Sequence, residues 1–360
     1  MACHLRGKSV RHYYSSFHIY NICAASFISA VFFAPMTVSA EEKKDSAVDA
    51  AMVSNFDIEA YGSLRLHISH ASVDEAFDGG SNSYTGLTDA YSRVGARGGF
   101  DLGSTRISAN IELGLNTAEL DIGDPSFFDD EDLRIKSVTA KGGWGTLKVG
   151  KDWLPYYNNI GYPVDYFSTI YAGYTTYAFF REKQVSYTTP SWNNFTGTLA
   201  RIERTGGGPL GWHYVAAYAN DGFTVAVGAE DMDGTTADTK GASVSYQSDG
   251  WYLAAKYEES TPIGEIYNGF VQYTDDRLTY KFGLGLGDQF SGNTFHTGID
   301  FQFRPKIKFF TEFYKEELNY AILQDRAQNS SDYFGAGGFG AKQNGKVFAF
   351  GLRYDFSTTQ

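Results

Sequence analysis

The sequence predicts an all-β protein, a transmembrane antiparallel β-barrel of 16 strands, on three observations. In most extended segments the bulky apolar residues fall on one parity only. The gaps between those segments alternate between short and long. From residue 41 onward no run of about 18 apolar residues exists to form a helical span. A barrel crosses a membrane without such a run, because only alternate residues of each strand must be apolar.

The stretch 347–356 carries the signal most plainly. Phe348, Phe350, Leu352, Tyr354 and Phe356 point to one side of a strand, and Ala349, Gly351, Arg353 and Asp355 to the other. The same separation recurs upstream. Ile107, Ile111, Leu113 and Leu115 oppose Arg106, Ser108, Asn110 and Glu112. Phe223, Val225 and Val227 oppose Thr224, Ala226 and Glu230, and Ile299, Phe301 and Phe303 oppose His296, Asp300 and Gln302. A polar face this long is not buried unpaired, so it lines water while the apolar face meets lipid. Composition agrees, with 28 Phe and 26 Tyr against 8 Pro and a mean hydropathy of only -0.31.

The N-terminus differs. Arg6, Lys8 and Arg11 precede an apolar run over 22–35, and Val38-Ser39-Ala40 follows, so residues 1–40 read as a signal peptide cut after Ala40. Cys3 and Cys23, the two cysteines of the chain, lie within it, which leaves the mature protein without a disulfide, a thiol nucleophile or a thiolate metal ligand. Residues 1–40 hold three cations and no acid, so 27 basic residues face 42 acidic ones in the remainder, a formal charge of -15. Nucleic acid is not a partner for such a chain.

Beyond a short segment at 41–55, the barrel is expected over 56–356, with a tail at 357–360. Its strands are expected at 58–70, 91–102, 106–116, 133–141, 146–151, 182–189, 195–203, 212–219, 223–230, 241–247, 251–258, 266–273, 278–286, 295–303, 307–314 and 347–356. An even number suits a closed antiparallel barrel with both ends on one side. Short connections carry turn residues, such as Asn193-Asn194, Asn220-Asp221-Gly222 and Ser248-Asp249-Gly250. Long connections at 71–90, 117–132, 152–181 and 316–346 are the expected extracellular loops. The strands at 195–203 and 212–219 do not separate into two faces, and their orientation stays open.

Parity turns Arg93, Arg97, Arg106, Arg134 and Lys136 inward on three consecutive strands, and Lys148 inward on the next. The long segment 152–181 holds seven tyrosines and no alternation, and Asp165 is its central carboxylate. His67, His70, His213 and His296 are scattered singly, and no metalloprotease, phosphate-loop or dinucleotide motif is present. No cofactor, metal or enzymatic activity is expected.

Several short motifs, in order, resemble the general trimeric porins of Gram-negative outer membranes. Ala60-Tyr61-Gly62-Ser63-Leu64-Arg65 resembles the opening strand, and Ser92-Arg93-Val94-Gly95-Ala96-Arg97-Gly98 the second. Leu133-Arg134-Ile135 with Gly145-Thr146-Leu147-Lys148-Val149-Gly150-Lys151 resembles the fourth and fifth, and Gln184-Val185-Ser186-Tyr187-Thr188-Thr189-Pro190 the strand after the third loop. The resemblance implies a homotrimer of 16-stranded barrels whose long third loop folds into the lumen. Arg93 and Arg134 then take the places of the family's basic constriction cluster, facing Asp165. Two features depart from the family: Ser357-Thr358-Thr359-Gln360 follow the terminal aromatic, and the third loop lacks a Pro-Glu-Phe-Gly run.

The function implied is passive diffusion of ions and small hydrophilic solutes through a water-filled channel in the outer membrane. Its partners are other copies of the chain, outer-membrane lipid and lipopolysaccharide. An oligosaccharide-selective channel, with Tyr156, Tyr157, Tyr162, Tyr166, Tyr171, Tyr174 and Tyr177 as stacking surfaces, is the alternative within transport. An outer-membrane barrel enzyme needs a Ser-His or Asp-His pairing that no spacing here suggests.

Overall fold

The computed structural model describes residues 53–74, 83–118, 128–169, 180–203, 210–232, 238–261, 264–287, 292–317 and 344–359. The signal peptide expected at 1–40, the segment 41–52, Tyr171, Tyr174, Tyr177 and much of each long loop lie outside the described residues.

Seventeen strands run in chain order: β1 Val53–Val73, β2 Ser83–Asp89, β3 Ser92–Leu102, β4 Thr105–Leu115, β5 Phe128–Gly142, β6 Gly145–Trp153, β7 Arg181–Thr188, β8 Phe195–Glu203, β9 Leu210–Asn220, β10 Phe223–Met232, β11 Thr239–Ser248, β12 Trp251–Ser260, β13 Gly264–Asp275, β14 Leu278–Gly287, β15 Gly292–Arg304, β16 Ile307–Glu316 and β17 Gly345–Ser357. From β3 to β17 each pairs antiparallel with the next, and β1 closes the ring. It pairs with β17 through residues 61–73, with β3 through 53–63 and with β2 through 66–72. β2 and β3 therefore share one place in the wall, and the closed barrel has 16 positions.

The break between them falls at Ala90 and Tyr91, where Tyr91 has φ of 64°. Asp89 holds it, accepting from the backbone of Ser92 at 2.8 Å and of Thr117 at 2.9 Å. The extra strand β2 lies within the expected loop 71–90, and β1 begins at Val53, inside the expected N-terminal segment. At the other end, Thr358 N–H donates to Ala60 O at 2.9 Å, so the tail beyond Phe356 continues the pairing with β1.

Short connections close with positive φ at their central residues, as at Asp221-Gly222 (46° and 78°) and Asp249-Gly250 (48° and 83°). Two such residues in succession make the hairpin turn whose twist matches the strands, and Asp-Gly reaches it at low cost.

Parity then assigns the faces. Phe348 and Phe350 are 54% and 55% exposed, whereas Ala349 between them is 1% exposed. On β15, Asp300 is buried between exposed Ile299 and Phe301, and His296 is buried on the same face. The two strands whose orientation the sequence leaves open also settle. Phe195, Leu199 and Tyr214 point outward, while Ala200, Ile202, His213 and Val215 point inward. Ala200 and Ile202 are apolar on the inner side because something other than water covers them.

The cover is the segment that follows β6. Leu154 packs on Ala200 and Ile202; Tyr156 and Ile160 pack on Ala226. Val164 and Phe167 pack on Ala254 and Phe270, with Tyr166 and Tyr252 alongside. The segment turns through one π-helical turn, Tyr157–Gly161, and one 3₁₀ turn, Tyr162–Val164. Pro163 near the start of the second suits a turn that begins where its N–H has no partner. Burying side chains such as Leu154, Ile160 and Val164 stabilises the segment by about 1.5–3 kcal/mol each.

Candidate functional site

The charged wall is built on β1 and β3 to β6. Register sets Glu59 beside Arg97 and Arg106 beside Asp101. Arg97 Nε meets Glu59 Oε2 at 2.6 Å, and its guanidinium lies 5.2 Å from the Tyr61 ring. Arg106 pairs with Asp57, with Asp101 at 3.2 Å, and donates to Asn55 O at 2.6 Å. Glu112 receives two arginines, Arg134 at 3.0 Å and Arg93 at 3.5 Å, and Tyr61 Oη at 3.2 Å. Lys148 Nζ meets Asp152 Oδ2 at 2.9 Å, and Ser137 Oγ donates to the same carboxylate at 2.8 Å. A recess of about 280 Å³ opens among Glu59, Arg97, Arg106, Lys148 and Asp152.

Every one of these cations thus has a carboxylate, but the two charges are not equally placed. Side chains of Arg97, Arg106 and Lys148 are 57%, 33% and 28% exposed, against 13% for Glu59, 10% for Asp152 and 6% for Glu112. The two partners of Arg106 differ, with Asp57 at 57% and Asp101 at 28%, and Arg134 at 1% is buried with Glu112. Water meets the cations first, with most of the carboxylates set behind them.

Two of the expected site residues lie elsewhere. Register runs Ile111 to Lys136, Glu112 to Ile135 and Leu113 to Leu133, so Arg134 is an extra residue in β5, a β-bulge. Arg134 and Ile135 are both buried, and beyond them the alternation is reversed. Lys136 shares the outward face of exposed Ile111 and Val138, not the inner wall. Asp165 is in the inserted segment as expected, but it is 7% exposed and accepts from Tyr157 Oη at 2.5 Å. The carboxylates bonded to the arginines come instead from β1, β3 and β4. Those partners were missed because isolated strands do not show them, although Glu112 shares parity with Arg106 and Glu59 needs only the β1–β3 register to meet Arg97.

A second polar system fastens the inserted segment to the opposite wall. Glu312 on β16 accepts from Ser168 N–H at 2.7 Å, Thr169 N–H at 3.0 Å and Thr169 Oγ1 at 2.6 Å. Lys281 on β14 reaches Glu312 at 3.2 Å, Asp300 at 3.0 Å and Tyr166 O at 3.2 Å. Upstream, Tyr252 Oη donates to Pro163 O at 2.9 Å and Ser243 Oγ to Asn159 O at 2.6 Å. His213, bonded to Glu230, receives Tyr156 N–H at 3.3 Å. Tyr156 lies so close to Gly241 that a Cβ there would stand 2.5 Å from its hydroxyl. Tyr156 and Tyr157 are buried by this packing and offer no open ring face for stacking, whereas Tyr162 is 47% exposed. Among the described residues, no group of three or more His, Cys, Asp or Glu is arranged to hold a metal ion.

Solved structures of the same architecture include porins. An anion-selective porin from Comamonas acidovorans matches with a TM-score of 0.65 at 16% identity, over 84% of this chain and 100% of that one. A triple mutant of the Rhodopseudomonas blastica porin matches at 0.56 and 14% identity, over 84% and 100%. A loop-deletion mutant of OmpT, an outer membrane protein of Vibrio cholerae, matches at 0.56 and 14%, over 84% and 99%. At these identities the likeness is one of fold. No curated protein matches the sequence. The model of the Gram-negative porin family matches residues 24–357. With that match spread over a closed 16-position barrel that is apolar outside and charged within, the chain belongs to the Gram-negative porins and is an outer-membrane channel.

Proposed function

We propose that the chain, exported by a signal peptide at 1–40, forms a homotrimer of passive channels. Small hydrophilic solutes pass between the cation-bearing wall of β1 and β3 to β6 and the inserted segment 154–169, and anions are favoured there. The single observation carrying this reading is the unequal exposure of two paired charges, with Arg97 and Lys148 turned to water and Glu59 and Asp152 behind them, while Arg106 shares the water with Asp57. Wall cations raise the local concentration of anions. Arg93 and Arg134, joined on Glu112, stiffen the wall more than they contribute field, since Arg134 is 1% exposed.

Reversal potential under a salt gradient in planar bilayers tests the preference. Replacing Arg97, Arg106 and Lys148 together by Ala should move it toward cations, and an unchanged value removes them from the filter. For the trimer, unheated and boiled samples on a detergent gel should differ in mobility. A monomer-sized species at all temperatures, with matching light scattering in mild detergent, rejects it.

A further inference from the structure

The residues after Phe356, a departure from the porin pattern, lie beside the charged wall. β1 is the strand on which the ring closes. From Tyr61 onward it pairs with β17, with Tyr61 opposite Ser357 and Gly62 opposite Phe356. Before Tyr61 it has β3 on one side, where Glu59 stands opposite Arg97. On the other side comes the tail. Thr358 N–H donates to Ala60 O, and Ala60 N–H to Thr358 Oγ1, each at 2.9 Å.

Side chains alternate across a strand, so Ser357 shares the inner face with Arg353 and Asp355, while Phe356 shares the outer face with exposed Tyr354. Arg353 and Asp355 bind each other at 2.7 Å. Ser357 reaches further. Its Oγ donates to Glu59 Oε1, while Arg97 Nε holds Oε2 of the same carboxylate at 2.6 Å. The hydroxyl has one proton to give. Thr359 O lies 2.7 Å away, but a carboxylate is the stronger acceptor, and the hydroxyl oxygen accepts in turn from Thr359 N–H at 3.2 Å. Glu59 is thus held at both oxygens, from β3 and from the tail. Its side chain is 13% exposed beside an Arg97 that is 57% exposed.

We propose that Ser357 is a positioning residue of the channel: it fixes Glu59 behind Arg97, so that the tail sets how much negative charge the wall shows to a passing ion. A carboxylate bound at one oxygen only can turn toward water, where its charge offsets that of the neighbouring guanidinium. Bound at both, it stays behind the cation. The inference rests on the reading of Arg97 as part of the filter. The competing account is that the tail only completes the pairing of β1, and it predicts altered stability with unaltered selectivity.

The test is reversal potential under a salt gradient at low ionic strength, with each variant of the full chain in planar bilayers. Ser357→Ala removes the donor and should move the potential toward cations, by less than Arg97→Ala does. Ser357→Thr keeps the hydroxyl and should hold the wild-type value. In a Glu59→Gln background, which removes the charge being positioned, Ser357→Ala should move nothing, because the two side chains act as one unit. Only folded channels conduct, so a poor yield of any variant leaves the measurement intact. An unchanged potential for Ser357→Ala overturns the proposal, as does the same shift in both backgrounds or a shift for Ser357→Thr as large as that for Ser357→Ala. Arg97→Ala reports on the filter separately. If it shifts the potential and Ser357→Ala does not, the part assigned to the tail alone is lost; if neither shifts it, the filter reading falls as well.

Discussion

The two inner walls of this barrel use the same kinds of residue for opposite ends. On β1 and β3 to β6, arginines and lysines meet carboxylates at the edge of open water, and Arg97 keeps over half of its side chain exposed. On β14 to β16, Lys281 and Glu312 are each 1% exposed and spend their hydrogen bonds on the inserted segment. A charge pair in water is cheap to break and visible to a passing ion. A buried pair is costly to break and holds a backbone in place. The difference separates filtering from positioning, and it can be broken experimentally.

The largest effect is expected at the clasp. Glu312→Ala leaves Lys281 buried beside Asp300 alone and strips three acceptor bonds from Ser168 and Thr169. Removing one partner of a buried pair costs about 3–5 kcal/mol. Denaturant unfolding of the refolded barrel should show that loss, and single channels should become noisier or larger as the segment detaches. A variant with wild-type stability and steady openings would mean that apolar packing alone holds the segment.

Next in size is charge on the lipid face. Ile299→Arg, on a residue 41% exposed in the apolar band of β15, should cost about 2–4 kcal/mol near mid-bilayer. Ser108→Arg, on the inner wall among charges already hydrated, should fold nearly as well as the wild type. Equal losses for both would show that the assignment of faces is wrong.

How far such assignments were legible depended on what each face meets. Where one face meets lipid and the other water, as on β15 and β17, alternation in the sequence was enough. It failed on β8 and β9 because Ala200, Ile202 and Val215 are apolar on the inner side, where Leu154 and its neighbours cover them, and no periodicity announces a buried loop. It failed at Lys136 because one extra residue at Arg134 reverses every position beyond it. The arginines of the site were visible as inward residues. Glu112 was visible on that same face, but its pairing was not, and Glu59 meets Arg97 only across a register that sequence parity leaves free.

The smallest expected effect is also the one that separates the walls most cleanly. Lys148→Ala should change stability by no more than about 1 kcal/mol, since its pair with Asp152 is partly exposed. It uncovers Asp152, so reversal potential should move slightly toward cations at low salt. Screening then acts on this shift, with a Debye length of about 8 Å at 0.15 M and about 3 Å at 1 M. At high salt the variant should converge on the wild type. The conductance change of Glu312→Ala should persist at both salts, because it follows from a displaced segment rather than from a field. If the Lys148→Ala shift survives at high salt undiminished, the wall acts through shape, and the distinction between a filtering wall and a positioning wall does not hold at β6.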